Sequence, residues 1–331
     1  MADSKGILII AEAADNKVTN ISKELLGIGR KLAKDLGQEL SAAILGKDVA
    51  GLAKELISYG ADNVYVVQDP SLATYQPDAF LMAAEKVCKD VNPSVVLLGH
   101  TDAGRDLAPK LAYRLKAGLT TDCVELKVDA ATKKVVQTKP VYGGNARADF
   151  VCETGLQMAT IRPKAFEALE ANASRTGNVV EVKGAVDAAK IRTKVLEFIK
   201  QEAKGVRLED APVVVSGGRG LGGPDPFKHL EELAKVLGGA VGASRAVCDA
   251  GWMPPTIQVG LTGKVVSPNL YIAVAISGAS QHMAGCSGSK FIVAINKDKD
   301  ANIFKEARYG VVGDWKEVLP PFIEMVKELR G

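Results

Sequence analysis

At 331 residues the chain exceeds the size, roughly 250 residues, at which a single core stops growing, so two domains are expected. A hydrophobic fraction of 47% with only 5% aromatics and 24% charged residues fits an α/β protein with a parallel sheet. A net charge of +3, interspersed and not clustered, argues against a nucleic-acid partner, and no apolar run reaches the roughly 18 residues needed to cross a bilayer, so neither membrane insertion nor secretion is expected.

From Gly6 to about Leu115 apolar runs alternate with amphipathic segments. ILIIAE is a strand, and the spacing predicts a helix over 19–36. ELSAAIL, NVYVV and SVVLLG are further strands, separated by helices near 49–58 and 77–91 and followed by one near 103–115. This βαβα rhythm predicts a parallel sheet wrapped by helices. From Thr120 to Pro163 the rhythm changes to consecutive strand-like pieces, DCVELKVD, KKVVQTKPVYG, ADFVCE and QMATIRP, which read as antiparallel edge strands. Beyond Phe166 the sequence up to RTKVLEFIKQE reads as extended arms or a linker, with domains at 1–205 and 206–331 and a hinge near Lys204-Gly205.

A second α/β unit starts at Pro212 with VVVSGGRGLGG, a buried strand opening into a glycine-rich loop, and a helix from about Pro226 to Leu237. AVGASR, QVGLTG, YIAVAIS, KFIVAIN and YGVVGD follow, and an amphipathic helix over 315–329 ends the pattern. Polar clusters follow these strands, where open α/β sheets bind ligands: Ser216 to Gly223 with Arg219, Ala243-Ser244-Arg245, Gly260 to Gly263, Ser277 to His282, Asn296 and Asp314. At Ser277-Gly278-Ala279 a helix is expected to begin with Gln281 and His282 in its first turn, presenting backbone N–H groups and a positive dipole end to an anion. The loop after VVVSGG lacks the GxGxxG spacing and the later acidic residue of a nicotinamide-dinucleotide fingerprint.

Five scattered cysteines, Cys88, Cys123, Cys152, Cys248 and Cys286, contain no CxxC pair and read as reduced thiols, neither a disulfide framework nor a zinc site. His282 and Cys286 fall four apart without a third ligand nearby. His100 sits at a strand end of the first unit, either as a turn residue or as the trace of a nucleotide pocket. No catalytic constellation stands out among His100, His229 and His282, and no metal is expected.

Leu270-Tyr271, Ser277-Gly278, Gln281-His282, Gly285 and Ala294-Ile295-Asn296 together reproduce a family signature. SGGRGL, VGASRAV, TGKVVSP, INKD and YGVVGD extend the likeness, and KPVYGGN and QMATIRP carry it into the first unit. In these motifs the chain resembles the alpha, or large, subunit of electron-transfer flavoproteins. It departs from the usual pattern at Leu261, where Gln is common, at Ala275, where Gly is common, and at Ser280, where an apolar residue is common.

The resemblance implies an α/β fold with an N-terminal nucleotide-binding-like domain carrying added antiparallel strands, and a C-terminal doubly wound parallel-sheet domain that binds FAD. It implies an electron carrier without catalytic residues. The implied cofactor contacts are Arg219, Ser244, Arg245, Val259, Gly260, Leu261, Thr262, Ser277, Gly278, Ala279, Ser280, Gln281, His282, Asn296, Asp314 and Trp315. Among them Ser244, Ser277 and the N–H groups from Gly278 to Ser280 would take the pyrophosphate with Arg219 nearby. Asn296 and Asp314 would reach the adenosine, Thr262 would donate to flavin N5, and Gln281 and His282 would lie along the pyrimidine edge. Arg245 would sit against the ring, and with His282 it would favour negative charge on the reduced flavin. The implied partners are a small (beta) subunit, acyl-CoA or related dehydrogenases as donors, and a membrane quinone oxidoreductase as acceptor, in a bacterial cytoplasm or a mitochondrial matrix. Two rivals are a nicotinamide- or thiamine-pyrophosphate-dependent oxidoreductase on the same doubly wound domain, and a stress-protein type of adenine-nucleotide module, which would explain the first unit alone.

Overall fold

A computed structural model describes residues 4–144, 146–193, 195–197 and 206–330. The expected domain boundary and the hinge near Lys204-Gly205 lie outside the described residues. The chain divides into two compact units, Met1–Val141 with Arg147–Ile199, and Tyr142–Ala146 with Lys200–Gly331.

The first unit runs β1 (Ile7–Ala11), β2 (Ala13–Ala14), β3 (Lys17–Val18), α1 (Asn20–Leu36), β4 (Leu40–Gly46), α2 (Ala53–Ser58), β5 (Asn63–Gln68), α3 (Pro77–Val91), β6 (Val95–Gly99) and α4 (Asp102–Leu115). It continues with β7 (Gly118–Cys123), β8 (Glu125–Val128), β9 (Val135–Val141), β10 (Ala146–Val151), β11 (Gln157–Ile161) and β12 (Asn178–Glu181). Seven strands form one sheet in the order β12-β5-β4-β1-β6-β11-β7, with every pair parallel. Helices cover both faces, which is why β1 is buried along its whole length. The two-residue period of the strand sends Ile7, Ile9 and Ala11 into one core cluster and Leu8 and Ile10 into the other.

Two expectations for this unit need correction. QMATI is not an antiparallel edge strand; it is β11, fully buried and paired in parallel with β6 on one side and β7 on the other. The other three strand-like pieces supply the separate three-stranded sheet, in which β8 pairs antiparallel with β9 and β10 flanks β9. Likewise Asn178–Glu181, read as part of an extended arm, is β12, an exposed edge strand parallel to β5.

The second unit runs β13 (Val213–Gly217), α5 (Phe227–Val236), β14 (Ala240–Ala243), α6 (Arg245–Asp249), β15 (Leu270–Val274), α7 (Ser280–Met283), β16 (Phe291–Asn296), α8 (Ile303–Glu306), β17 (Tyr309–Val312) and α9 (Trp315–Arg330). Its five strands are parallel in the order β14-β13-β15-β16-β17. Tyr271 and Ala273 face one cluster and Ile272 and Val274 the other, so β15 is the doubly covered central strand. The outer strand β17 is exposed along its length, with Tyr309 64% and Val312 60% accessible. QVGLTG is not a sheet strand; among the described residues its strand-type pairing is limited to isolated bridges, Ala243 to Gln258 and Val259 to Lys264.

Candidate functional site

In the five-stranded sheet the chain goes from β13 outward to β14 and then returns to the other side of β13 to lay down β15. At such a reversal the loops leaving the two central strands diverge and open a crevice at their carboxyl ends. The loop beyond β13 starts at Gly218, whose N–H donates to the Val274 carbonyl at 2.9 Å. A Cβ on Gly218 would stand 2.0 Å from the Ala275 oxygen, so only glycine lets the two loops pass.

Beyond β15 the backbone turns sharply. Gly278 has φ +80°, and a Cβ there would stand 2.2 Å from the Ile303 nitrogen. The Ser277 carbonyl accepts the Ile303 N–H at 3.1 Å, which pins the turn to the start of α8. Among the described residues no hydrogen-bond acceptor takes the N–H groups of Gly278, Ala279 or Ser280, and Ala279 and Ser280 are exposed. Successive N–H groups left open at a strand tip form a concavity suited to an anion. The expected helix behind them is short: α7 is only Ser280–Met283, so an anion here would meet these local N–H groups and little helix dipole.

Ala275, the position where glycine is common among proteins with this signature, adopts φ +54°. A left-handed backbone costs a residue with a Cβ about 1 kcal/mol. Ala275→Gly is therefore expected to stabilise the second unit by about 1 kcal/mol, read as a higher denaturation midpoint. An unchanged or lower midpoint would reject the strain.

The loop of residues 257–266 is fastened to the turn that follows β15. The Leu261 N–H donates to the Gln281 carbonyl at 2.7 Å and the Val266 N–H to the Gly285 carbonyl at 2.7 Å. Gly260 and Gly285 touch backbone to backbone, since a Cβ on Gly285 would meet the Gly260 nitrogen at 2.3 Å. This brings Gly260, Leu261 and Thr262 beside Gln281 and His282. Leu261 is 62% exposed, while Val259 is a core side chain and can offer only its backbone.

The other expected contacts divide by what already occupies them. Ser244 caps α6 without a side-chain cap bond, which leaves its hydroxyl open to a ligand. Arg219 is exposed at the tip of the β13 loop, and Arg245 is exposed and paired with Asp249 at 3.2 Å. Gln281 is exposed. Asp314 Oδ1 accepts the Lys316 N–H at 3.0 Å at the start of α9. The Trp315 ring lies 6.3 Å from His229 and packs against the core on that face. Asn296 donates its amide to the Ile276 carbonyl at 2.9 Å and accepts the Asp298 N–H at 3.0 Å, so its first role is to clip the turn after β15 to β16.

His282 departs most from its expected role. It is buried, and its Nε2 lies 2.9 Å from the hydroxyl of the fully buried Tyr271. Burial pulls its pKa down to about 4, with the Val259 backbone opposing, so the ring is neutral at pH 7. A neutral imidazole keeps one N–H to donate, and the exposed cations at these strand tips are Arg245 and Arg219. Four residues on, burial pushes the Cys286 thiol up to about 12, and its Sγ donates to the His282 carbonyl at 3.6 Å.

Two residues that now matter were not singled out from the sequence. Gln258 donates its amide to the Thr262 hydroxyl at 3.1 Å. Tyr271 was noted only as part of a motif, with nothing to show that its hydroxyl meets His282.

The first unit has a cavity of about 420 Å³ at the carboxyl ends of β1, β4 and β6, lined by Glu12, Asp15, Asp48 and Lys47 over an apolar floor. His100 is not among its lining residues; its Nδ1 lies 2.9 Å from the hydroxyl of Thr160 on β11.

The chain was compared with known proteins. A family model described as an electron transfer flavoprotein domain matches residues 7–187, and one described as an electron transfer flavoprotein FAD-binding domain matches residues 207–287. The chain is similar to an electron transfer flavoprotein subunit alpha of Megasphaera elsdenii, 49% identical over 100% of this chain and 99% of the relative. Proteins with the same description in Thermoanaerobacterium thermosaccharolyticum and Bacillus subtilis are 47% and 43% identical, covering 100% and 98% of this chain and 100% and 98% of their own lengths. Among the described residues no helix is long and apolar enough to cross a membrane. The chain thus belongs to the electron transfer flavoprotein alpha subunits, redox carriers and not enzymes, and the strand-tip loops from Ser216 to His282 lie within the stretch that matches the family's FAD-binding domain.

Proposed function

We propose that this chain is the FAD-bearing large subunit of a heterodimeric electron-transfer flavoprotein. It takes electrons from acyl-CoA dehydrogenases or related flavin dehydrogenases and passes them to a membrane quinone oxidoreductase or a comparable acceptor. The supporting observation is the row of open N–H groups at Gly278, Ala279 and Ser280, on a turn that only glycine can make. Because the relatives named above are bacterial, we assign the protein to a bacterial cytoplasm. The domains are taken as 1–205 and 206–331, with the small subunit against the first.

The residues fit the cofactor. Bound FAD supplies one- and two-electron redox chemistry. Ser244, Ser277 and the N–H groups from Gly278 to Ser280 hold the pyrophosphate, and Arg219 balances its charge. Asp314 keeps one carboxylate oxygen for the ribose hydroxyls at the adenosine end, and Asn296 shapes that end through the turn it clips. Thr262 would donate to flavin N5, and Gln281 and the neutral ring of His282 would lie along the pyrimidine edge. Arg245 leaves Asp249 to lie against the ring and favours negative charge on it. Gly260 and Leu261 shield the ring with backbone and an apolar side chain.

The test is co-expression with the small subunit, purification and measurement of bound flavin. A yellow heterodimer that an acyl-CoA or related dehydrogenase reduces is the expected result. A colourless pair that binds no FAD on reconstitution would overturn the reading.

A further inference from the structure

We propose that Gln258 fixes the direction of the Thr262 hydroxyl, so that this hydroxyl meets the flavin as a hydrogen-bond donor and not as an acceptor. The inference rests on the FAD reading above and adds to it a positioning residue.

Gln258 is 9% exposed and its main chain is held at three points. Its N–H donates to the Pro255 carbonyl at 3.1 Å, its carbonyl accepts the Lys264 N–H at 2.7 Å, and it bridges to Ala243 at the end of β14. Gly263 passes directly over it, where a Cβ would stand 2.4 Å from the Gln258 oxygen. The loop therefore closes tightly around Gln258 and leaves its amide nitrogen 3.1 Å from Thr262 Oγ1. An amide NH₂ has donors only, so the hydroxyl must receive it through a lone pair. The single hydroxyl hydrogen of Thr262 is left for another acceptor. Thr262 is exposed, so that hydrogen faces outward from the loop.

The electronic consequence follows from flavin chemistry. N5 accepts a hydrogen bond while it carries no proton, and becomes a donor once full reduction adds an electron and a proton there. A hydroxyl locked as donor favours the bare nitrogen and opposes its protonation. It therefore widens the gap between the potentials of the first and second electrons. The arrangement suits a carrier that handles electrons singly.

The experiment is a double-mutant cycle on the heterodimer, with both one-electron potentials read from a reductive titration and the FAD dissociation constant measured beside them. Gln258→Glu keeps the shape of the side chain and replaces the donor by a carboxylate, which can only accept. It draws the Thr262 hydrogen inward and turns a lone pair toward N5. The expected outcome is a narrowing of the gap by about tenfold in equilibrium constant, or about 59 mV for one electron. In a Thr262→Val background the same Gln258→Glu change still adds its charge but has no hydroxyl to turn, so the gap is expected to stay within about threefold of its Thr262→Val value. Equal shifts in both backgrounds would overturn the proposal. If Gln258→Glu does not fold, Gln258→Met serves in the same cycle, with about threefold narrowing expected in the presence of Thr262 and none without it; equal shifts again reject the proposal. Failure of the parent heterodimer to bind FAD would instead remove the functional reading on which the proposal stands.

Discussion

Gly278→Ala is expected to abolish FAD retention and to destabilise the second unit by about 2–5 kcal/mol, the sum of a left-handed backbone bearing a Cβ and an overpacked contact. The added methyl would stand 2.2 Å from the Ile303 nitrogen at a residue with φ +80°. Relief requires the turn to move away from α8, which breaks the bond from the Ile303 N–H to the Ser277 carbonyl and splays the open N–H groups apart. Flavin content after purification and the denaturation midpoint check this together. A variant that keeps its flavin and its midpoint would show that the turn does not form the anion site. Gly222→Ala is the control for positive φ alone, because it has φ +87° and a Cβ there meets nothing within 4 Å.

The second large effect is a dependence of stability on pH that originates at His282. Its folded pKa, about 4, lies below the ordinary value of 6.5 because burial disfavours the cation. Between these two values the unfolded chain binds a proton that the folded chain does not. Stability contributed by the neutral ring is therefore complete above pH 6.5 and is lost as pH falls toward 4. At 1.36 kcal/mol per unit the loss is about 3 kcal/mol. Denaturant titrations across that range should show the parent losing this stability while His282→Gln does not, since the amide has no proton to take up. Parallel curves would mean that His282 is not held neutral. The same measurement bears on the cofactor, because a neutral ring offers a polar edge but no charge to reduced flavin.

Much of this was legible before any coordinates. Helices such as α1 and α3 announce themselves by an apolar stripe, and β1, β6 and β15 by short apolar runs between turn residues. The positions of Ser216, Ser244, Ser277 and Asn296 at the ends of β13 to β16 were legible because glycines and hydroxyl or amide residues punctuate a buried apolar run. β11 was misread because QMATI is buried on both sides by elements far away in sequence, and the antiparallel excursion of β8 to β10 separates it from its neighbour β7. The same limit applies within the site. Nothing local to Asn296 tells that its amide is spent on Ile276, and nothing local to His282 tells that Tyr271 waits beneath it. Side-chain type is written in the chain, whereas who occupies each hydrogen bond is decided by packing. Gln258 shows the same in reverse: an ordinary polar residue becomes consequential only because Gly263 folds over it.

The bare rim of β17 has a practical meaning for handling the molecule. Tyr309, Val311 and Val312 offer unguarded backbone and greasy side chains together, with no charge or proline among Tyr309–Val312 to discourage a second ribbon from zipping on. Preparations of the solitary chain will accordingly turn cloudy at concentrations where a preparation with that rim shielded stays clear.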